Sequence, residues 1–195
     1  ICPSGYKEGR VYITLTGINH DDLGNHIYVS EDNGKNWRSI RGNLPDEVAY
    51  CIVEDPVCES MIYAGMYRGV YISVDRGLNW SLLGPELPAA AIADLVIQQP
   101  TMDLLAGTHG RGIYKMNIRP IQNAFKKGKP DGNMIFDIPE AILPWINDTH
   151  GEPSLKTAEK VPVTFYLSQG TDVTFKVYDG RKREIWSREF EARKG

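Results

Sequence analysis

The sequence predicts an all-β protein: part of a β-propeller, then a proline-rich connector, then the opening of a β-sandwich. Three observations carry that expectation. A block of 43 residues repeats along the first part of the chain. Each copy divides into four short runs rich in β-branched and aromatic residues. After a stretch without regular patterning, a two-residue alternation returns near Val161. The expected boundaries are 1–118 for the blades, 119–160 for the connector and 161–195 for the sandwich.

The repeat is read directly. "IYVS" at 27–30 recurs as "VYIS" at 70–73 and as "IYKM" at 113–116. Leu44-Pro45 match Leu87-Pro88, and "YCIVEDP" (50–56) matches "DLVIQQP" (94–100). "IYAGMYRGVY" (62–71) recurs as "LLAGTHGRGIY" (104–114) with one extra glycine. In the second copy the four runs are "AYCIVE", "MIYAG", "GVYIS" and "NWSLL", bounded by Gly, Pro, Asp and Asn. Four strands in a period of roughly 40–45 residues is the pattern of propeller blades.

Between the third and fourth runs stands Ser-x-Asp-x-Gly-x-x-Trp, as "SEDNGKNW" (30–37) and "SVDRGLNW" (73–80). Its position predicts a hairpin turn. Gly34 and Gly77 supply positive φ where the chain reverses. Asp32 and Asp75 accept hydrogen bonds from nearby backbone N–H groups, and Ser30 and Ser73 assist. Trp37 and Trp80 are expected to bury their rings between neighbouring blades.

These motifs resemble Asp-box, or BNR, repeats, which occur in sialidases, xyloglucan-degrading enzymes and sortilin-type propellers. The wider run "DDLGNHIYVSEDNGKNWRSIRGNLPDE", with "IYAGMYRGVYISVDRGLNW" and "DLLAGTHGRGIY", is similar to one group of long bacterial proteins. These are labelled sortilin-like or BNR-repeat glycosyl hydrolases, and a small β-sandwich follows their propeller. The resemblance covers residues 8–118 and extends loosely to the C-terminal part. It implies ligand sites on the face opposite the motif turns, or in a central channel. The Asp-box itself specifies architecture and says little about chemistry.

Propellers close with four to eight blades, whereas two motif-bearing units and part of a third are present. The third reads "KMNIRP" at the motif position, as terminal repeats often do. The chain is therefore expected to be the C-terminal piece of a longer protein, with upstream blades as its partner. Residues 119–160 hold five of the twelve prolines. They are expected to run as an extended connector anchored by Phe125, Phe136 and Trp145, with a helical turn in "PEAILPWIND" started by Pro139 and broken by Pro144. Beyond it, "VPVTFYL", "DVTFKVYD" and "REIWSREF" read as three strands separated by "SQG" and "DGRK". They resemble the opening of the immunoglobulin-like sandwich of the family, which needs about seven.

Composition narrows the function classes. A net charge of -3 and a pI near 5.8 give no general attraction to nucleic acid or to an anionic membrane. No run approaches the roughly 18 apolar residues of a spanning helix. The three cysteines lack C-x-x-C spacing; Cys51 and Cys58 suit either a bridge across a hairpin or unpaired thiols. No zincin, P-loop, nucleophile-elbow or dinucleotide motif is present. His20, His26, His109 and His150 are scattered, so no metal or cofactor is expected. Glycosidases need facing carboxylates, but Glu54-Asp55 and Asp21-Asp22 are adjacent pairs. Arg41, Arg68 and Arg111 recur in the repeat without the Tyr/Glu partner of a sialidase. No catalytic residue is assigned.

The expected ligand loops are "INHDDLGN" (18–25), the longest, then "MYRG" (66–69) and "THGRG" (108–112). Asn19, His20, Asp21 and Asp22 suit a cation or sugar hydroxyls, although "NHDD" lacks the spacing of a dedicated calcium loop. Arg68 and Arg111 share one repeat position beside His109. They suit either a bridging carboxylate or the carbonyls of the next blade. The expected function is protein or glycan binding and scaffolding within a large secreted or periplasmic propeller. The alternative is a glycoside hydrolase whose catalytic residues lie in upstream blades.

Overall fold

The computed structural model describes residues 1–84, 87–126, 132–136, 138, 163–167 and 170–192. The turn around Pro139 and Pro144, the anchor Trp145 and His150 lie outside them. The fold is all-β. A first antiparallel sheet runs β1 (Cys2–Pro3), β2 (Val11–Gly17), β3 (Asp22–Ser30) and β4 (Arg38–Ser39), paired in that order. A second runs β5 (Ala49–Glu54), β6 (Ile62–Met66), β7 (Val70–Ser73) and β8 (Ser81–Leu83). A third has three strands: β9 (Ile92–Gln98), β10 (Asp103–Thr108) and β11 (Ile113–Asn117). Each pairs neighbours in sequence, so every connection is local, and none of the described sheets closes into a barrel.

The three sheets stack face to face in chain order. Alternation along β2 and β3 sends Tyr12, Ile27 and Val29 inward, against Ala49, Ile52, Ile62, Ala64, Met66 and Trp80 of the second sheet. The opposite face of the second sheet sends Tyr63, Val70 and Ile72 against Ile92, Leu95, Leu104 and Ala106 of the third. The second sheet is thus covered on both sides. This is why every residue of β6 is buried and why "IYAGM" carries no charged side chain.

The seam between the first two sheets has a specific lock. Trp80 is 4% exposed, and its indole Nε1 donates to the Ile40 carbonyl at 2.9 Å. Its backbone N–H donates to Asn43 Oδ1 at 2.6 Å, and Asn43 Nδ2 donates back to the Trp80 carbonyl at 2.9 Å. Arg10, almost wholly buried, crosses the same seam. It pairs with Glu31 of the first unit (3.0 Å) and Glu59 of the second (2.8 Å). Trp37, expected to be buried likewise, is 43% exposed. Its ring stands on the outer side of the first sheet, where no described element covers it.

After β11 the expected extended connector begins instead as helix α1 (Arg119–Phe125), with Pro120 in its first turn, where its missing N–H costs nothing. Apolar Ile121 and Phe125 fall on one face four residues apart and close the core of the second and third sheets. Phe125 meets Tyr166 edge to face, with ring centroids 5.6 Å apart, and Phe136 is buried. Each of the three expected C-terminal runs contains a strand. Strand β12 (Met134–Ile135), inside the connector, pairs with β13 (Phe165–Tyr166), while β14 (Thr171–Tyr178) and β15 (Glu184–Ala192) form a separate hairpin. A single three-stranded sheet is not formed among the described residues.

The Cys51–Cys58 bridge is likewise not made: all three cysteines are free. The Cys51 and Cys58 thiols donate to the carbonyls of Ile92 (3.7 Å) and Gln122 (3.8 Å). Burial, then the Asp94 carboxylate, pushes the Cys51 thiol up to about 12, so it is not an available nucleophile.

Candidate functional site

The two copies of Ser-x-Asp-x-Gly-x-x-Trp have the same geometry. In the first, Ser30 Oγ donates to Asp32 Oδ1 (2.9 Å) and accepts the Gly34 N–H (2.8 Å); Asp32 Oδ1 accepts the Asn36 N–H (2.8 Å). In the second, Ser73, Asp75, Gly77 and Asn79 make the same three bonds at the same distances. Gly34 and Gly77 both sit at φ +83°, a conformation costly for any other residue. The Asn36 side chain and backbone, then Ser30, hold the Asp32 carboxyl below its usual range. The Ser and Asp side chains of each turn are engaged internally. Those bonds close the hairpin.

In an antiparallel meander, alternate turns fall at opposite edges of the sheet. The β3–β4 and β7–β8 motif turns share an edge with the β1–β2 and β5–β6 turns, as the Asn33 N–H to Gly9 carbonyl (2.8 Å) and Arg76 N–H to Ser60 carbonyl (2.9 Å) bonds show. The other edge carries the β2–β3, β6–β7 and β10–β11 turns with the connections between sheets. Here the Tyr67 N–H reaches the Val48 carbonyl (3.0 Å), and its repeat counterpart His109 reaches that of Ala91 (2.8 Å).

On this second edge a cavity of about 280 Å³ is lined by Asn25, Arg41, Gly42, Leu44 and Asp46. Asn25 occupies an inward position of β3, in phase with Ile27 and Val29, and is only 6% exposed. Its Nδ2 donates to the Pro45 carbonyl at 3.3 Å, which fixes the amide orientation, because that carbonyl can only accept. Asn25 Oδ1 is then a buried acceptor with no partner among the described residues. Such a group costs roughly 1–3 kcal/mol unless something supplies a donor. Beside it, Gly24 leaves open a space bordered by three polar groups. A Cβ there would lie 3.0 Å from Asp22 Oδ1, 3.5 Å from His26 Nε2 and 3.8 Å from Asp46 Oδ1.

The expected ligand residues distribute unevenly around this cavity. Asp22 pairs with His26 at 2.8 Å, and the Gly24 N–H, then His26, draws its carboxyl below the usual range. The anticipated long loop is mostly strand. Only a 3-10 turn (Ile18–His20) and Asp21, at φ 57°, separate β2 from β3, because pairing resumes at Gly17 opposite Asp22. His20 and Asp21 are exposed and do not line the cavity. Arg68, read as suited to a bridging carboxylate or to the carbonyls of the next blade, faces Glu47 at 3.7 Å and also donates its backbone N–H to that carboxylate at 3.3 Å. Burial lifts Glu47 above the usual range, and Arg68 offsets part of that rise. His109 and Arg111 are exposed on the third sheet's turn, and no ion pair to Arg111 occurs among the described residues. The structure therefore lines the cavity with Asn25, Arg41 and Asp46, sets the Asp22–His26 pair at its border around Gly24, and leaves His20, Asp21, His109 and Arg111 apart.

The adjacent carboxylates do not form a catalytic pair. Glu54 accepts from Ser4 Oγ (2.8 Å), the Gly5 N–H (2.8 Å) and Tyr12 Oη (3.2 Å) on the first-sheet side. Asp55 is fully buried on the other side, accepting from Tyr63 Oη and the N–H groups of Val57 and Cys58 at 2.9 Å each. Both are structural. No cluster of three metal-ligating side chains occurs among the described residues.

No protein-family model matches the chain, and no curated protein does. Among solved structures, the chain is similar to an ancestral GH74 enzyme, at 22% identity over 56% of this chain and 13% of that one, with a TM-score of 0.47. The GH74 enzyme of Niastella koreensis gives 16% identity over 59% of this chain and 19% of that one, with a TM-score of 0.48. For the GH74 xyloglucanase from Xanthomonas campestris the values are 15%, 59% and 20%, with a TM-score of 0.44. The chain thus spans at most 20% of the length of these structures.

Proposed function

We propose that the first 118 residues are consecutive Asp-box blades of a larger β-propeller, and that the edge opposite the Asp-boxes binds a hydroxyl-rich ligand of the glycan class. The stacked meanders, whose third strands recur every 43 residues, support the blade reading. The binding reading rests on one observation: the unpartnered Asn25 acceptor beside a cavity that also presents a cation, Arg41, and a carboxylate, Asp46. A neutral hydroxyl both donates and accepts, so it satisfies this mixture without importing net charge. The role is binding and scaffolding, with upstream blades as the structural partner. The C-terminal hairpin with β12–β13 is the start of a sandwich that follows the propeller.

The test is titration of the full chain with a neutral gluco-oligosaccharide, following side-chain amide resonances by NMR. The Asn25 amide should shift, and Asn25→Leu should abolish binding while the fold is kept. An unmoved Asn25 amide at millimolar sugar would overturn the glycan reading. Turnover of an aryl glycoside, lost on a point substitution in this chain, would replace binding by catalysis.

A further inference from the structure

Acceptors outnumber donors around the Asn25 cavity, and the excess lies on the side of Gly24. Asp22 Oδ1, His26 Nε2 and Asp46 Oδ1 converge on the space over the Gly24 backbone. The donors nearest that space are already used. His26 Nε2 bonds Asp22 Oδ2 at 2.8 Å, and since a carboxylate only accepts, this nitrogen carries the proton. The Gly24 N–H goes to Asp22 Oδ1 at 2.9 Å, and Asn25 Nδ2 goes to the Pro45 carbonyl. The Gly24 N–H, then His26, keeps the Asp22 carboxyl below its usual range, so it is ionised at neutral pH. Acceptors remain. Asp46 makes no ion pair or side-chain hydrogen bond among the described residues, and the buried Asn25 Oδ1 has no donor there. Arg41 is the one cation among the lining residues, so two carboxylates stand against one guanidinium. The next charges along the edge, Glu47 and Arg68, cancel each other.

We infer that the glycan taken at this edge is an amino sugar, its hydroxyls at Asn25 and Arg41 and its protonated amine over Gly24, between Asp22 and Asp46. A hydroxyl in that space would answer one acceptor and turn its own lone pairs on the others. An ammonium brings only donors, and it supplies the positive charge that the two carboxylates lack. Gly24 leaves the room, since any side chain there would press on Asp22 Oδ1. The inference rests on the glycan reading above and adds to it the substituent that the acidic side selects.

The experiment compares tetramers of one β-1,4-linked backbone, built from glucose, from glucosamine or from N-acetylglucosamine. Each is titrated into the full chain at neutral pH, where the free amine is largely protonated, and the Asn25 amide is followed by NMR. The glucosamine tetramer should bind about tenfold tighter than the other two. Its advantage should shrink as salt is raised, because ion pairs open to solvent are screened. Asp46→Asn should bring the three affinities together. Gly24→Ala should do the same while both carboxylates remain, and the buried Trp80 indole signal marks the folded state in each variant. Equal affinity of the parent for all three tetramers would overturn the inference and leave the glycan reading standing. An amine preference that survives Asp22→Asn combined with Asp46→Asn would also overturn it, since the chain's overall negative charge would then be the cause. If none of the tetramers moves the Asn25 amide, the glycan reading fails and this inference falls with it.

Discussion

Gln122 Nε2 donates to Asp55 Oδ2 at 2.8 Å, joining α1 to the end of β5 across 67 residues of sequence. Tyr63 Oη meets the same oxygen at 2.9 Å, so one carboxylate fastens the helix, the central sheet and the β5–β6 turn. Burial and the neighbouring Asp55 charge raise the Tyr63 hydroxyl well above its ordinary value, which keeps it a proton donor.

Asp55→Asn should therefore be costly despite its near-identical shape. The new amide group faces Gln122 with a donor where an acceptor stood, leaving buried groups mismatched at about 1–3 kcal/mol. Gln122→Leu should cost less, since the other three donors to Asp55 remain. Urea unfolding of both variants checks the order; equal stability of Asp55→Asn and the parent would show that the link contributes nothing.

The two motif glycines should respond differently to alanine. Gly34→Ala meets only the left-handed backbone penalty, about 1–2 kcal/mol. Gly77→Ala carries the same penalty plus overlap with Ile40, worth about 1–3 kcal/mol more. Thermal melts of the two single variants compare them in one protein, and similar values would contradict the tight seam at Ile40.

Asp32→Ala and Asp75→Ala should each lower the melting temperature by a few degrees, through loss of the acceptor for the Asn36 or Asn79 amide. Exchange of those amides should accelerate. The response of the Asn25 amide to oligosaccharide should stay as in the parent, because the motif turns lie at the opposite edge.

Acid should weaken the first seam. Glu31, Glu59 and Asp32 have folded values held below their ordinary 4.5, 4.5 and 3.8. Arg10 and Arg76 beside Glu59, Lys7 and Arg10 beside Glu31, and the Asn36 and Ser30 bonds to Asp32 outweigh desolvation. Lowered acids contribute stability that is complete above the unfolded values and drains as pH falls through the folded ones. Glu47, shifted upward by burial, works in the opposite sense. The melting temperature should hold near neutrality and fall below about pH 4.5. Glu59→Gln should flatten that fall, and an unchanged acid profile in this variant would dismiss the seam as its origin.

Much of the architecture could be read from local pattern, because strand, turn and repeat are local properties. "AYCIVE" and "GVYIS" declare β5 and β7 by β-branched content, and Gly34 and Gly77 announce their turns. What escaped reading depended on neighbours. Trp37 and Trp80 are equivalent in sequence, and only the presence of Ile40 and Asn43 beside one of them makes their burial differ. Helix α1 was hidden by Pro120, which disfavours a helix interior but fits a first turn. Asn25 carried one faint signal, a polar residue in phase with Ile27 and Val29, and nothing local disclosed Pro45 or Asp46 across from it. The acidic partner of Arg68 was invisible for the same reason, since Glu47 reaches it from 21 residues away.

The extra glycine in the third unit has a practical consequence. The turn between β6 and β7 is closed by the Met66 N–H on the Gly69 carbonyl, and the turn between β10 and β11 by Thr108 on Gly112, one residue longer. Both keep the same anchor to the strand behind, from Tyr67 to Val48 and from His109 to Ala91. Length is thus absorbed between two fixed backbone bonds without disturbing strand register. That makes this position a natural point for grafting: a foreign peptide inserted beside Gly110 would be displayed at the rim while the stack beneath it stays in step.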